Sequence, residues 1–188
     1  MNTVFDSISS QFPKIIGDKI LDIMSVDDLL EIRSVSLSES PEKETCRPII
    51  QRSEDEARKS FSEIITENSI INIGVYTTDS SPRVIGKITF FDYNPRNRSC
   101  ELGYYLNPAY RGQGIMKSAA SILVPMLFDK GINKIYAQTG GFNEASIRLL
   151  EGLGFSKDAV LREHHELGSV LYDDYIFSIL KSDWVAAN

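Results

Sequence analysis

One segment of the chain combines residue types that could bind a phosphate group. Residues 106–116 read LNPAYRGQGIM, which places Gly112 and Gly114 between a strand-like stretch and a helix-like one. Glycine has no Cβ atom, so backbone N–H groups at these positions can close around a ligand. The first N–H groups of a helix have no partner within the helix, and the helix dipole favours an anion beside them. The segment therefore predicts a site for a phosphate or a pyrophosphate.

Three phosphate-binding patterns compete for this segment. A P-loop needs a glycine directly before Lys117-Ser118, where this chain has Met116. A dinucleotide-binding fingerprint needs a small residue at position 117 and an early strand–helix–strand unit, and the sequence provides neither. The third pattern, Arg/Gln-x-x-Gly-x-Gly/Ala, fits from Arg111 onward and departs only at Met116. On this segment alone, a glycine-rich helix start that binds nothing is the alternative interpretation.

The elements that must position this segment follow from periodicity and capping residues. Residues 99–106 alternate as a strand, and residues 112–130 have the pattern of a long helix. A strand at 134–139 and a helix at 143–153 follow, with two more strands from Phe155 onward.

The first half of the chain is richer in strands. The pattern there predicts an arm at 1–17, strands at 19–24, 70–77 and 83–93, a loop at 38–48, and helices capped by Ser25 and Ser53, the second with Phe61, Ile64 and Ile65 on its inner face. A hairpin-rich first half joined to a strand–helix–strand–helix second half predicts one mixed α+β domain over residues 1–188, and not a doubly wound parallel fold.

Composition excludes several classes of protein. The chain has 188 residues, of which 42% are hydrophobic and 24% are charged, so it is neither disordered nor a disulfide scaffold. Its formal charge of −6 repels phosphate backbones, which makes nucleic acid a poor partner and an amine-bearing substrate an attractive one. The first 20 residues lack the pattern of a signal peptide, and no apolar run is long enough to span a bilayer. We therefore expect a cytoplasmic protein with no membrane partner.

Cysteine and histidine spacing predicts no metal site. Cys46 and Cys100 have no metal-binding or redox spacing. Cys100 precedes Glu101 on a strand, so the two side chains point to opposite faces, and a buried Cys100 is expected. His164 and His165 are adjacent, so on a strand they point apart and cannot readily hold one metal.

Two signatures at compatible spacing give the chain a family resemblance. The first comprises ELGYYLNP at 101–108 and YRGQGIM at 110–116, and the second runs from Asn143 through Ser146 to Gly154-Phe155. The stretch YDDYIFSIL at 172–180, followed by Trp184, completes the pattern. Together they resemble the GNAT N-acetyltransferase superfamily, and within it the ribosomal-protein-alanine acetyltransferase branch, in which Met116 is familiar. The resemblance covers residues 19–184 and is strongest from residue 85 onward.

The resemblance implies a fold and a cofactor. The GNAT acyl-CoA N-acyltransferase fold has a central mixed, mostly antiparallel sheet of about seven strands flanked by helices. Acetyl-CoA would place its pyrophosphate on the backbone of residues 111–116 and its pantetheine arm along the strand that ends at Leu106, where that strand splays from the strand at 134. The cofactor-binding residues so implied are Tyr104, Tyr105, Leu106, Arg111, Gly112, Gln113, Gly114, Ile115, Met116, Asn143 and Ser146.

The resemblance also implies which residues handle protons. Glu101 is the first candidate for the base that deprotonates the attacking amine, with Glu163 and Glu166 as rivals. The alternative for Glu101 is an outward glutamate paired with Arg96 or Arg98.

The proton donor to the leaving thiolate is less conventional. Many GNAT enzymes use a tyrosine at the position that Leu150 holds here, so the branch points to Ser146 as the acid. The alternative for Ser146 is a first-turn hydroxyl that bonds a backbone N–H. Asn143 is expected to cap its helix and to contact the cofactor.

Two functions from different classes follow. The first is acetyl transfer from acetyl-CoA to a primary amine, either a protein N-terminus or a small amine, by direct attack in a ternary complex. The second is a catalytically weak acyl-CoA-binding or sensor domain on the same fold, because the usual tyrosine is missing. A nucleotide-binding α+β domain is a third alternative. Specificity is expected from loops at 36–53 and 163–171, and analogy favours a homodimer.

Overall fold

One eight-stranded sheet organises the chain. The computed structural model describes residues 4–39, 45–67 and 69–187. Neighbouring strands are antiparallel except β5 and β6, and the order is β1-β2-β3-β4-β5-β6-β8-β7. The strands are β1 (Lys14–Ile16), β2 (Lys19–Ile23), β3 (Ile71–Thr77), β4 (Val84–Asn94), β5 (Ser99–Leu106), β6 (Lys134–Gly140), β7 (Ser156–Leu167) and β8 (Val170–Leu180).

This sheet confirms the predicted mixed, mostly antiparallel α+β class. It has eight strands where about seven were expected. The additional strand is β1, a three-residue strand that lies inside the segment predicted as an arm and pairs with β2. The predicted hairpin of β3 and β4 is confirmed by their antiparallel pairing.

Helices begin where capping residues predict. The described helices are α1 (Val4–Ser9), α2 (Val26–Leu37), α3 (Glu54–Glu67), α4 (Ile115–Asp129), α5 (Glu144–Gly152) and α6 (Lys181–Ala187). Ser25 forms a capping box with Asp28, and Ser53 forms one with Glu56. Each cap satisfies backbone N–H groups that the first turn leaves without partners, and this fixes the first residue of the helix.

Apolar layers cover both faces of the sheet. Cys100 and Leu102 of β5 lie in the larger core, which includes the buried face of α4. Tyr105 points to the opposite face and packs with Leu29 and Ile32 of α2. This alternation is the period-two pattern of a strand, and it confirms that Cys100 is buried on the face away from Glu101.

β5 and β6 run side by side for only part of their length. Their parallel pairing joins Ser99–Glu101 to Lys134–Tyr136, although β5 continues to Leu106 and β6 to Gly140. The expected splay is therefore present and begins directly after Glu101 and Tyr136. Backbone N–H and C=O groups along a parted edge need other partners, which an extended ligand can supply.

Some local expectations were wrong. Of the three residues predicted on the inner face of α3, Phe61 and Ile64 are half-buried, whereas Ile65 is 40% exposed; the buried residue of this helix is Ala57. Most of the segment 163–171, expected as a loop, extends β7 and β8 around a tight turn. Residues 40–44 of the predicted loop at 38–48 lie outside the described residues. Among the helices that the structure describes, none is long and apolar enough to cross a membrane.

Candidate active site

The glycine loop has the backbone geometry of an anion cradle. Gly112 and Gly114 have φ angles of +75° and +74°, a conformation that residues with a Cβ rarely adopt. A Cβ at either position would meet no atom of the described residues within 4 Å, so the loop leaves open space there. Gly114 is the N-cap of α4 and offers no side-chain cap. The start of this 15-residue helix therefore presents N–H groups and the positive end of its dipole to that space.

The Arg111 side chain connects the glycine loop to β5 and to the segment just after α2. Its Nε donates to the carbonyl oxygen of Leu106 at 2.8 Å, and its Nη2 lies 3.2 Å from Glu39 Oε2. Its guanidinium also stands over the ring of Tyr105. The backbone N–H of Arg111 donates to Pro108 O at 3.1 Å within a short 3₁₀ turn. Because this turn already uses the N–H of Arg111, the N–H groups available to an anion are those of residues 112–116.

Asn143 positions the first turn of α5. Its side-chain Oδ1 accepts a hydrogen bond from the backbone N–H of Ser146 at 3.1 Å, which confirms the predicted cap. The Ser146 hydroxyl is consequently not needed for capping. The structure differs from the local alternative for Ser146: Asn143 Oδ1 accepts from the Ser146 N–H, and the Ser146 hydroxyl bonds to Tyr104 Oη on the sheet.

Ser146 and Tyr104 form a pair of hydroxyl groups between α5 and β5. Tyr104 Oη lies 2.5 Å from Ser146 Oγ, and Ser146 is 9% exposed. Burial raises the pKa of Tyr104 to about 12, against the opposing effect of its bond to Ser146. The Tyr104 hydroxyl therefore keeps its proton near neutral pH. Leu150, at the position of the tyrosine acid in many GNAT enzymes, is fully buried in the core.

The resemblance implied that Tyr104 contacts the cofactor, but the bond between its hydroxyl and Ser146 was not predicted. The available signal was its parity on β5, which puts it on the same face as Cys100 and Leu102. Parity showed the face, whereas the partner on α5 depended on the packing of that helix.

Glu101 lies at the point where β5 and β6 part. It is 7% exposed, and its carboxylate accepts from Arg47 Nη2. The same guanidinium is 3.1 Å from Asp92 Oδ2 and stacks over the ring of Phe91. Burial raises the pKa of Glu101 above its usual range, and Asp92 adds to this, while Arg47 opposes it. The site therefore holds a carboxylate that takes up a proton more readily than an exposed glutamate does.

The alternative predicted for Glu101 is wrong. The carboxylate is buried, and its cationic partner is Arg47, not Arg96 or Arg98. Arg96 and Arg98 are near in sequence, whereas Arg47 reaches Glu101 from the segment that precedes α3. The sequence carried no signal for this pairing, because nothing local relates the two positions.

The rival bases lie elsewhere. Glu163 and Glu166 are exposed on β7, the edge strand of the sheet. Three strand spacings separate β7 from β5, or about 14 Å. Glu163 uses its backbone N–H to reach Asp173 Oδ1 at 2.9 Å, beside an irregularity in the pairing of β7 and β8. The geometry therefore favours Glu101 as the candidate base.

Comparison with known proteins agrees with this geometry. A family model described as an acetyltransferase (GNAT) domain matches residues 20–156. YjcK, a probable N-acetyltransferase of Bacillus subtilis (strain 168), is 28% identical over 125 residues, which are 65% of this chain and 68% of that protein.

Solved structures share the whole architecture. A chimera of spermidine N-acetyltransferase SpeG from Vibrio cholerae and hSSAT aligns with a TM-score of 0.76 and 22% identity over 90% of this chain and 99% of its own. The ribosomal-protein-S5-alanine acetyltransferase of Vibrio fischeri aligns with a TM-score of 0.77 and 18% identity over 92% and 98%. RimL, a ribosomal L7/L12 alpha-N-protein acetyltransferase in complex with coenzyme A, aligns with a TM-score of 0.76 and 18% identity over 89% and 98%. At such low sequence identity, these alignments show a shared fold and nothing about the acceptor of this chain.

The family match covers most of the chain and includes the glycine loop, the parted strands and Glu101. Acetyl-CoA is the acyl donor of that family, and the uncapped start of α4 suits its pyrophosphate. We conclude that this chain belongs to the GNAT acetyltransferases.

Proposed function

We propose that this enzyme transfers the acetyl group of acetyl-CoA to a primary amine by direct attack in a ternary complex. The observation that carries the proposal is the buried Glu101 carboxylate at the point where β5 and β6 part. A carboxylate there can take a proton from an amine that attacks in the gap between the strands. Further along β5, the hydroxyl groups of Tyr104 and Ser146 can supply a proton to the leaving thiolate.

The residues present fit acetyl-CoA. Backbone N–H groups of residues 112–116 would hold its pyrophosphate, since Gly112 and Gly114 leave open space beside them. The edge of β5 beyond Glu101, which β6 leaves unpaired, would pair with the amides of the pantetheine arm. When bound, acetyl-CoA supplies an acyl thioester that is activated towards attack by an amine. The remaining steps belong to the side chains of this chain.

Glu101 acts as the base in this scheme. An ammonium ion cannot attack, so a proton must leave the acceptor nitrogen. The raised pKa of Glu101 makes its carboxylate a stronger proton acceptor than an exposed glutamate, directly or through a water. The Arg47 guanidinium is paired with the Glu101 carboxylate, so a cationic acceptor competes with Arg47 for the same oxygen.

Ser146 and Tyr104 act at the leaving group. The Ser146 hydroxyl would donate to the departing sulfur, and Tyr104, within 2.5 Å, would donate to Ser146 Oγ in turn. The pKa of about 12 keeps the phenol protonated, so the pair retains a proton to give. This arrangement would replace the tyrosine that Leu150 removes.

The acceptor is a protein N-terminus or a small amine. The formal charge of −6 suits either kind of cationic acceptor. Among the structural neighbours, RimL is named for a protein N-terminus and SpeG for spermidine. Both classes therefore belong in an acceptor screen.

A weakly catalytic acyl-CoA sensor is the second candidate function. Two observations favour it: Leu150 offers no phenol to the leaving group, and Arg47 already neutralises the candidate base. Turnover of the thioester separates the two functions, because a sensor binds acetyl-CoA without releasing free thiol.

Thermal melting with acetyl-CoA, CoA and ATP tests the cofactor first. A ligand at about 100 times its dissociation constant adds about 2.7 kcal/mol of stability, which is several degrees for a chain of this size. A shift with the two CoA compounds alone supports the proposal, and thiol release with N-terminal peptides, polyamines, amino sugars and amino acids then identifies the acceptor. An equal shift with ATP would contradict it and favour a general nucleotide-binding domain. A shift without thiol release for any acceptor would favour the sensor.

A further inference from the structure

Three metal-ligating side chains meet on the sheet beside the candidate active site. Cys46 lies in the segment before α3, His165 on β7 and Asp174 on β8. One ligand atom from each lies within 4.8 Å of the other two. His165 is 8% exposed, Asp174 is fully buried, and Cys46 is half-buried. The sequence predicted no metal site, because these residues come from distant parts of the chain and become neighbours only through the strand order.

Asp174 marks this cluster as a site for a cation. Its Oδ2 accepts from Gln138 Nε2 at 2.7 Å. Its Oδ1 is buried and has no donor at good hydrogen-bond geometry among the described residues, although the Cys46 thiol also interacts with this carboxylate. His165 Nδ1 lies 3.4 Å from this oxygen. A buried carboxylate oxygen without a donor is costly, and a bound cation satisfies it.

We propose that Cys46, His165 and Asp174 bind a zinc ion. Thiolate, imidazole and carboxylate are the three ligand types that zinc takes in proteins, and three protein ligands leave a fourth position open. Sulfur in this set disfavours magnesium and calcium, which prefer oxygen ligands. The site goes beyond acetyl transfer and does not depend on it.

The geometry needs only a small adjustment. Tetrahedral zinc with bonds of about 2.0–2.3 Å separates its ligands by about 3.3–3.8 Å. The His165–Asp174 separation of 3.4 Å already falls in this range. All three ligand atoms lie within 4.8 Å of one another, so the wider separations must shorten by no more than about 1 Å to reach this range. Gln138 orients Asp174, and the ring of Phe142 packs edge-on against His165 with centroids 4.8 Å apart, so outer contacts already orient two ligands.

Binding involves proton release and no redox change. Zinc forms bonds to Cys46 Sγ, one imidazole nitrogen of His165 and Asp174 Oδ1, and the thiol proton passes to solvent. Without metal, burial and the negative charge of Asp174 raise the pKa of Cys46 to about 12, so the thiol is protonated. The charge of the ion supports the thiolate when it binds.

Metal titration of the tag-free, reduced full-length chain tests the site. After chelator treatment and dialysis, we expect one equivalent of zinc by calorimetry, and a thiolate-to-cobalt charge-transfer band when cobalt replaces zinc. Cys46→Ala should abolish the band and weaken zinc binding by at least about a hundredfold, and His165→Gln should weaken binding similarly. Two variants serve as matched controls: His164→Gln removes the exposed neighbouring histidine, and Cys100→Ala removes the other thiol.

Several outcomes would overturn the proposal. The first is a wild-type chain that gives neither binding heat with zinc nor a charge-transfer band with cobalt. The others are a Cys46→Ala variant that binds zinc as tightly as wild type, and a His164→Gln variant that loses zinc binding as His165→Gln does. Asp174→Asn is a poorer first choice because Asp174 is fully buried and the variant can fail to fold. Cys46 is half-buried, so its variant keeps the test valid, and melting without metal verifies that each variant is folded.

Discussion

Gly114→Val is the most direct test of the anion cradle at the start of α4. Gly114 has a φ angle of +74°, where an L-residue costs about 1–2 kcal/mol and a β-branched residue costs more. Valine can keep this conformation and place its methyl groups in the open space beside the loop. Alternatively, the backbone can leave the left-handed region and turn the N–H groups of Ile115 and Met116 away from the ligand. Both responses weaken the binding of CoA.

The magnitude follows from the hydrogen bonds at risk. A hydrogen bond to a charged group contributes about 1.5–3 kcal/mol, so two lost bonds cost about 3–6 kcal/mol. Each 1.4 kcal/mol is a factor of ten in affinity. We therefore expect the dissociation constant of CoA, measured by calorimetry, to rise by about two to four powers of ten.

Gly131→Val is the matched control. Gly131 also has a positive φ angle, +96°, and a Cβ there would likewise meet no atom within 4 Å in the described parts of the chain. This glycine, however, follows the opposite end of α4. A 15-residue helix is about 22 Å long, so this position is remote from the cradle. Gly131→Val should lower the melting temperature and leave CoA affinity unchanged. A folded Gly114→Val variant with wild-type affinity would refute the cradle, as would an equal loss of affinity in both variants.

The other predictions concern proton transfer. Glu101→Gln should slow acetyl transfer and flatten the acidic limb of the pH–rate profile without changing CoA affinity; a profile like that of wild type would move the base to another carboxylate. Arg47→Met keeps an apolar stem over Phe91 but removes the charge that lowers the pKa of Glu101. That pKa should rise, so the carboxylate ionises only at higher pH and the acidic limb moves upward; a downward move would contradict the electrostatic argument. Ser146→Ala should lower kcat by about 10²–10⁴, the usual contribution of a general acid. Tyr104→Phe should lower kcat less, and the double variant should be no slower than Ser146→Ala, since Tyr104 acts through Ser146; additive losses would show independent roles.

Local signals in the sequence were sufficient for most of the elements and for the candidate cofactor loop, whereas α1, β1 and α6 were not predicted. Ser25, Ser53 and Asn143 cap helices as predicted, because an N-cap bonds to N–H groups two or three residues ahead. The two glycines of the loop have positive φ angles, which depend on the absence of a Cβ and therefore on residue type alone.

The sequence also predicted which face of a strand each side chain lies on. Successive side chains of a strand alternate between faces, so Cys100 was expected in the core and Glu101 on the other face. The same rule separates exposed His164 from buried His165. Burial was less predictable at the sheet edge and in α3, where Ile65 faces solvent because its burial depended on what packs against the helix.

The tertiary structure decided which side chains meet. Capping, periodicity and parity relate residues a few positions apart, whereas strand order and helix packing join positions that no local rule connects. Through them Arg47 reaches Glu101, Tyr104 reaches Ser146, and Cys46 comes to lie beside Asp174. The sequence alone indicated the candidate phosphate-binding loop and the strand that carries the candidate base. The partners that set the protonation of that base, orient the candidate acid and form the proposed zinc site depend on contacts that exist only in the folded chain.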